Sequence, residues 1–256
     1  MITKANIKKS LDNPPYYKVV RINNNNTKNF KSYFIKFAKR LGNIRIQNKN
    51  KDKILEIKAN LKKIKLLKKK KKKIKSFLRY HETNLGGSIH SDGPQLLNPP
   101  KYLIMACENN SLRGGDTVVA DTKKIYKYLS KKKPEYLNIL NSKFFFERRG
   151  FKYNKKNVFY KSIFQLSNKK FTFRYLRDYI EKGYEIKKTK IPSQYIRALN
   201  YLDKLLSSKK FIKRFKLNRG DLIIINNQVM AHGRTTFQLD SKNINPGRKL
   251  YRIWIN

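Results

Sequence analysis

Cysteine occurs once in these 256 residues, at Cys107, and histidine only three times. A lone thiol excludes an intramolecular disulfide framework and makes a reducing, cytoplasmic setting the expectation. No apolar run approaches the roughly 20 residues that a membrane span needs, so no membrane partner is expected. The opening stretch from Met1 to Lys9 lacks the apolar core of a secretory signal. A basic organelle-targeting extension stays open, because the whole chain is basic. Carboxylates number 16 against 62 lysines and arginines, a formal charge of +46.

What is present suffices for a core. The apolar fraction is 39% and the aromatic fraction 12%, which argues against disorder and for one large domain over residues 1–256. The charge invites a nucleic-acid reading. Lysine, however, is spread over nearly every polar segment and comes with runs such as Asn23–Asn26 and Lys68–Lys73, as A/T-rich codons produce. A dedicated surface would concentrate charge and interleave aromatics. Compositional drift is the favoured reading: a small-molecule partner, no specific nucleic acid, and non-specific RNA attraction at low salt. The oligomeric state is not set by the sequence. Against this drift the rare residues carry information. Five of the 11 glycines (Gly86, Gly87, Gly93, Gly114, Gly115) fall close to Asp92, Asp116 and Asp121.

Residues 1–27 read as an extended lead-in broken by Pro14-Pro15. Over 28–75 come an amphipathic helix (Phe30, Tyr33, Phe34, Phe37, Ala38, Leu41, stopped by Gly42), short strands at 44–46 and 54–57, and the lysine-rich run 62–75. That run is read as a solvated helix or loop, since Ile64, Leu66, Leu67 and Ile74 interrupt it. From 77 to 256 the pattern is β-rich, with strands expected at 77–80, 102–107, 117–120, 144–148, 158–160, 171–175, 222–225 and 250–255. Helices are expected at 122–132, with Asp121 as N-cap and Pro134 beyond, and at 193–206. Many short strands with helical decoration suggest a mainly β barrel or jelly roll.

The chemistry gathers around Gly87-Ser-Ile-His90-Ser-Asp92-Gly93. His90 and Asp92, two apart, project to one side of a strand and can grip one ion. Downstream, Asn227-Gln-Val-Met-Ala-His-Gly-Arg234 delivers His232 after an apolar strand and a turn. Two imidazoles and a carboxylate give Fe(II) three fixed ligands and leave open positions for oxygen and a co-substrate. Arg248 and Arg252, four apart on the last strand, share a face with Leu250 and Trp254. An inward arginine is costly unless it meets an anion, and a carboxylate is a suitable partner. A satisfied structural histidine and ordinary surface arginines are the competing readings.

The stretches Gly86 to Asp92, Asn98-Pro-Pro-Lys-Tyr-Leu103, Gly114-Gly-Asp-Thr117, Arg219-Gly-Asp-Leu222, Asn227 to Phe237 and Arg248-x-x-x-Arg252 occur in one order. Together they resemble the taurine dioxygenase/clavaminate synthase-like family of Fe(II)/2-oxoglutarate oxygenases, from about 77 to 254. The resemblance implies a double-stranded β-helix (jelly roll, cupin-like) with His90, Asp92 and His232 as iron ligands. It implies Thr117 and Arg248 on the distal carboxylate of 2-oxoglutarate, with Arg252 in the active site beside co-substrate or substrate. It further implies hydroxylation of an unactivated C–H bond in a small, polar, amino-acid-derived metabolite, with O2 consumed. The lysine run has no counterpart in the family pattern, and Asn226-Asn227 replaces a common Asp-Asn. Arg177 and Asp178 are conceivable substrate contacts or plain surface residues. Two alternatives stand: an oxygenase acting on nucleic acid, and a non-catalytic basic binding protein on a degenerate scaffold.

Overall fold

The computed structural model describes residues 3–22, 29–69, 80–87, 89–148, 157–167, 170–239 and 247–256. Two antiparallel sheets form its centre. The larger runs β1 (Tyr17–Arg21), β11 (Asp221–Asn226), β4 (Tyr102–Asn109), β13 (Lys249–Ile255). The outer edge of β13 is shared by β2 (Ile44–Arg45) and β3 (Ile54–Lys58). The smaller runs β10 (Ile212–Phe215), β5 (Thr117–Asp121), β12 (Met230–Arg234). Two hairpins, β6 (Lys143–Glu147) with β7 (Val158–Ser162) and β8 (Phe164–Ser167) with β9 (Lys170–Phe173), complete the strands described. Neighbours in the larger sheet come from distant parts of the chain. This is the jelly roll of the double-stranded β-helix kind, mainly β with helices applied to it, that the sequence implies.

The inner strands β4 and β11 of the larger sheet are buried on both faces over residues 102–107 and 222–225, so neither shows polar alternation there. Tyr102, Ile104 and Ala106 of β4 face one way, with Leu222, Ile224, Ile253 and Ile255. Leu103, Met105 and Cys107 face the other, with Ile223, Ile225, Leu250 and Trp254. The first face is covered by α1 (Lys4–Asp12) and α2 (Phe30–Leu41) through Ile7, Leu11, Phe34 and Ala38. The second packs with the smaller sheet and with α4 (Thr122–Lys132), α5 (Pro134–Asn141), α6 (Arg177–Ile186) and α7 (Ser193–Ser207). Helix α3 (Leu61–Lys69) lies within the lysine-rich run and sets Ile64 and Leu67 against Phe237. That agrees with a helix inside the domain; residues 70–75 lie outside the described ones.

Three expectations need correction. The lead-in is not extended throughout. Thr3 caps α1, its hydroxyl accepting from Asn6 N at 3.2 Å, and β1 pairs with β11 from Tyr17 opposite Ile225 to Arg21 opposite Asp221. Nine residues make no stable helix alone; docking of Ile7 and Leu11, roughly 1.5–3 kcal/mol each, supplies the difference. Gly42 ends α2 with φ 170, extended rather than left-handed. A Cβ there would meet Asn256 O at 2.4 Å, so close approach, not turn geometry, requires glycine. Pro134 lies beyond α4 as expected and also opens α5. Tyr80 begins a 3-10 turn, Tyr80–Glu82, and the rest of the strand expected at 77–80 lies outside the described residues.

Candidate metal centre and anion pocket

The backbone sets the two histidines before their side chains matter. His90 N donates to His232 O at 2.9 Å, and His232 N donates to His90 O at 2.7 Å. Directly opposed residues present their side chains on one face. The imidazole centroids are accordingly 4.6 Å apart. Asp92, two residues on, returns to the same side. Asn227 clamps its main chain: Oδ1 accepts from Asp92 N at 2.8 Å, and Nδ2 donates to the carbonyls of Asp92 and Pro100, each at 3.0 Å. Asp92 Oδ1 lies 3.7 Å from His90 Nε2 and 3.8 Å from His232 Nε2. One ligand atom from each of the three residues falls within 4.8 Å of the others, and all three are buried.

Both carboxylate oxygens of Asp92 are held. Arg252 Nη1 donates to Oδ1 at 2.9 Å and Trp254 Nε1 to Oδ2 at 2.8 Å. Behind them, Arg252 Nε donates to Gln47 Oε1 at 2.9 Å, while the Gln47 amide donates to the carbonyls of Lys53 and Arg252. Burial alone would raise the Asp92 pKa. The Arg252 guanidinium and the hydrogen bond with His90 outweigh it and hold the carboxyl well below the usual range. Burial pushes His232 down to about 3, with Asp92 offsetting only part, so that ring is neutral at physiological pH. His232 Nδ1 is buried with no hydrogen-bond partner among the described residues, so none of them fixes its tautomer. Two imidazoles and one ionised carboxylate converging from one side are a donor set that fits Fe(II).

A second feature lies on the same strands. Thr117 is opposite Arg234 in the β5–β12 ladder, and His232 is opposite Val119. Thr117, His232 and Arg234 therefore share a face. Arg248 is 5% exposed, with Nε donating to Gly115 O at 3.2 Å. Its terminal nitrogens meet no carboxylate among the described residues. Gly115 has φ +75, and a Cβ there would meet Arg248 Cδ and Nε at 3.0 Å, so two constraints demand glycine. Burial, then the charge of Arg234, pushes the Arg248 guanidinium down to about 10. Such a group is poised for an anion.

The structure thus brings His90, Asp92 and His232 together and keeps Arg248 and Thr117 close to the glycine pair. Arg252 is in the site but engaged by Asp92 and Gln47. Arg177 is bound into the helices, to Glu181 at 2.7 Å and Asp203 at 3.2 Å, and Asp178 is exposed, so the pair has the surface role. A separate hollow of about 430 Å³, lined by Leu97, Lys161, Lys170 and Arg174 among others, includes none of the three candidate ligands. Sequence reasoning missed Trp254, Gln47, Asn227 and Arg234 as parts of the site. Alternation signalled Trp254 (two from Arg252) and Arg234 (two from His232); nothing signalled Gln47.

A His-Asp-His centre on a jelly roll is the arrangement of the non-haem iron oxygenases. The chain belongs to the taurine catabolism dioxygenase TauD, TfdA family, whose model matches residues 16–254. It is 29% identical over 158 residues to gamma-butyrobetaine dioxygenase of Homo sapiens, covering 59% of this chain and 40% of that protein. It is 26% identical over 182 residues to FR-33289 synthase of Streptomyces rubellomurinus, covering 70% and 52% respectively. The match therefore spans only about half, or less, of these curated relatives. Among solved structures, asparagine oxygenase in complex with Fe(II), 2S,3S-3-hydroxyasparagine and succinate gives a TM-score of 0.72 at 13% identity, covering 98% of this chain and 77% of that one. Non-heme iron oxygenase OrfP in complex with Fe and alpha-ketoglutaric acid gives 0.67 at 14%, covering 97% and 77%. At these identities the likeness is one of fold. No helix among the described residues is long and apolar enough to cross a membrane.

Proposed function

We propose that the chain is a single-domain Fe(II)- and 2-oxoglutarate-dependent oxygenase acting on a small, polar, amino-acid-derived molecule. The observation that carries this is the convergence of His90, Asp92 and His232 within 4.8 Å, beside a buried arginine, Arg248, that meets no carboxylate among the described residues. His90, Asp92 and His232 would hold the metal from one side. Bound iron would supply the redox chemistry that couples oxidative decarboxylation of 2-oxoglutarate to oxidation of a substrate C–H bond. Arg248 and Thr117 would take the distal carboxylate, the guanidinium as a planar fork and the hydroxyl as a further donor. Trp254 and Arg252 keep Asp92 oriented. Apolar walls such as Met105 and Val119 keep water from the reacting groups.

The names of relatives support the substrate class. One curated relative is named for gamma-butyrobetaine, and solved neighbours carry 3-hydroxyasparagine or (3S)-hydroxy-L-Arg. The partner is then a metabolite, and attraction of nucleic acid is non-specific. The test is conversion of 2-oxoglutarate to succinate that requires added iron and disappears in His232→Ala. Oxygen uptake stimulated by a panel of amino acids would identify the substrate class. No turnover with any panel member would favour a binding protein on a degenerate scaffold.

A further inference from the structure

Arg234 is a buried charge that the proposed reaction leaves without a role. It is 7% exposed, and its guanidinium lies between the rings of Tyr80 and Phe237, 4.8 Å from each centroid. Nη2 donates to the carbonyls of Tyr80, Thr83 and Leu85 at 3.0–3.2 Å. Nη1 is buried and has no partner among the described residues. No carboxylate pairs with the group among the described residues. A buried N–H of a charged group without an acceptor is expensive, more so with a second cation near. That cation is Arg248, whose guanidinium rests on the same Phe237 ring at 5.7 Å and whose proton affinity Arg234 lowers. By the β5–β12 register Arg234 stands opposite Thr117 and on the face of His232.

We infer that Arg234 is a second anion-binding residue, its Nη1 sharing with Arg248 the distal carboxylate of a dicarboxylic 2-oxo acid. One anion between two guanidinium groups offsets their repulsion and satisfies the unpartnered donor. The three carbonyls on Nη2 hold the fork in place beforehand. This rests on the assignment of Arg248 above. It makes the site selective for a 2-oxo acid with a charged far end.

The test is calorimetric titration of the Mn(II)-loaded protein with 2-oxoglutarate and with 2-oxopentanoate, which has a methyl in place of the distal carboxylate. The quantity read is the ratio of the two dissociation constants. Arg248→Met should abolish most of the discrimination, and Arg234→Met should reduce it roughly tenfold or more, as loss of a charged hydrogen bond does. Arg234→Lys, which keeps the charge and some carbonyl contacts, should reduce it by less, and serves if the methionine variant does not fold. If Arg248→Met lowers the ratio but neither Arg234 variant does, Arg234 only braces residues 80–85 and the inference is overturned. If Arg248→Met also leaves the ratio unchanged, the assignment of the anion pocket falls with it. Melting temperature and Mn(II) affinity, read in parallel, identify a bracing role, because bracing lowers affinity for both acids alike.

Discussion

Trp254 is the single tryptophan in the chain, and its indole N–H is committed to Asp92 Oδ2. Trp254→Phe keeps the ring in the core and removes that one donor. Partners of metal ligands typically matter 10–100-fold, so metal affinity should fall by about that factor while the fold persists. Calorimetric titration with Fe(II) under argon decides it; unchanged affinity would mean that Arg252 alone orients the carboxylate. Arg248→Ala should behave oppositely, raising the 2-oxoglutarate requirement and sparing the metal. Cys107, on the same strand system, gives a pH prediction. Burial pushes its thiol up to about 12 from an ordinary value near 9. The folded state then keeps a proton that the unfolded chain releases, so its contribution is full below about pH 9 and is lost towards pH 12. Between pH 8 and 10, urea midpoints of Cys107→Ala should fall less steeply than those of the parent. At this scale the three candidate ligands were legible because histidine and aspartate are scarce against a lysine background. The partner of Arg252 was not, since alternation along a strand gives the face a side chain occupies but not what it reaches.

At the scale of elements, legibility follows how much of a segment's conformation its own residues decide. Strands β4 and β11 are apolar and buried over residues 102–107 and 222–225, and α2 repeats its apolar residues at helical spacing; each could be read directly. Helix α1 has just Ile7 and Leu11 to bury, and β10 is four residues long with a mostly exposed face. Their states are set by docking against β1, β11 and β5, which no local pattern contains. The close packing of α2 against the chain end supplies a test. Gly42→Ala would place a methyl 2.4 Å from Asn256 O and 2.6 Å from Ile255 Cγ2. Displacing the end of β13 should cost about 1–3 kcal/mol. A denaturation midpoint equal to the parent's would show that the terminal residue moves aside freely.

The whole molecule carries a formal charge of +46, and its few carboxylates are often already engaged, as Asp221 is by Arg21, Asp203 by Arg177 and Glu108 by Lys249. Most lysines therefore have no acidic neighbour to pair with, and the compact state works against its own repulsion. Screening lengths fall to about 8 Å at physiological ionic strength. Sodium chloride should consequently raise the melting temperature, at about 2–4 °C for each kcal/mol of repulsion relieved. The same ions should strip bound RNA with a steep logarithmic slope and no sequence preference. The two effects share one cause, and together they separate drift from a dedicated nucleic-acid surface. A dedicated surface would hold a preferred RNA at physiological salt, and the bound RNA would itself stabilise the fold as salt does. Drift predicts stabilisation by salt with binding lost over the same range, and no effect of either on the preference between 2-oxo acids.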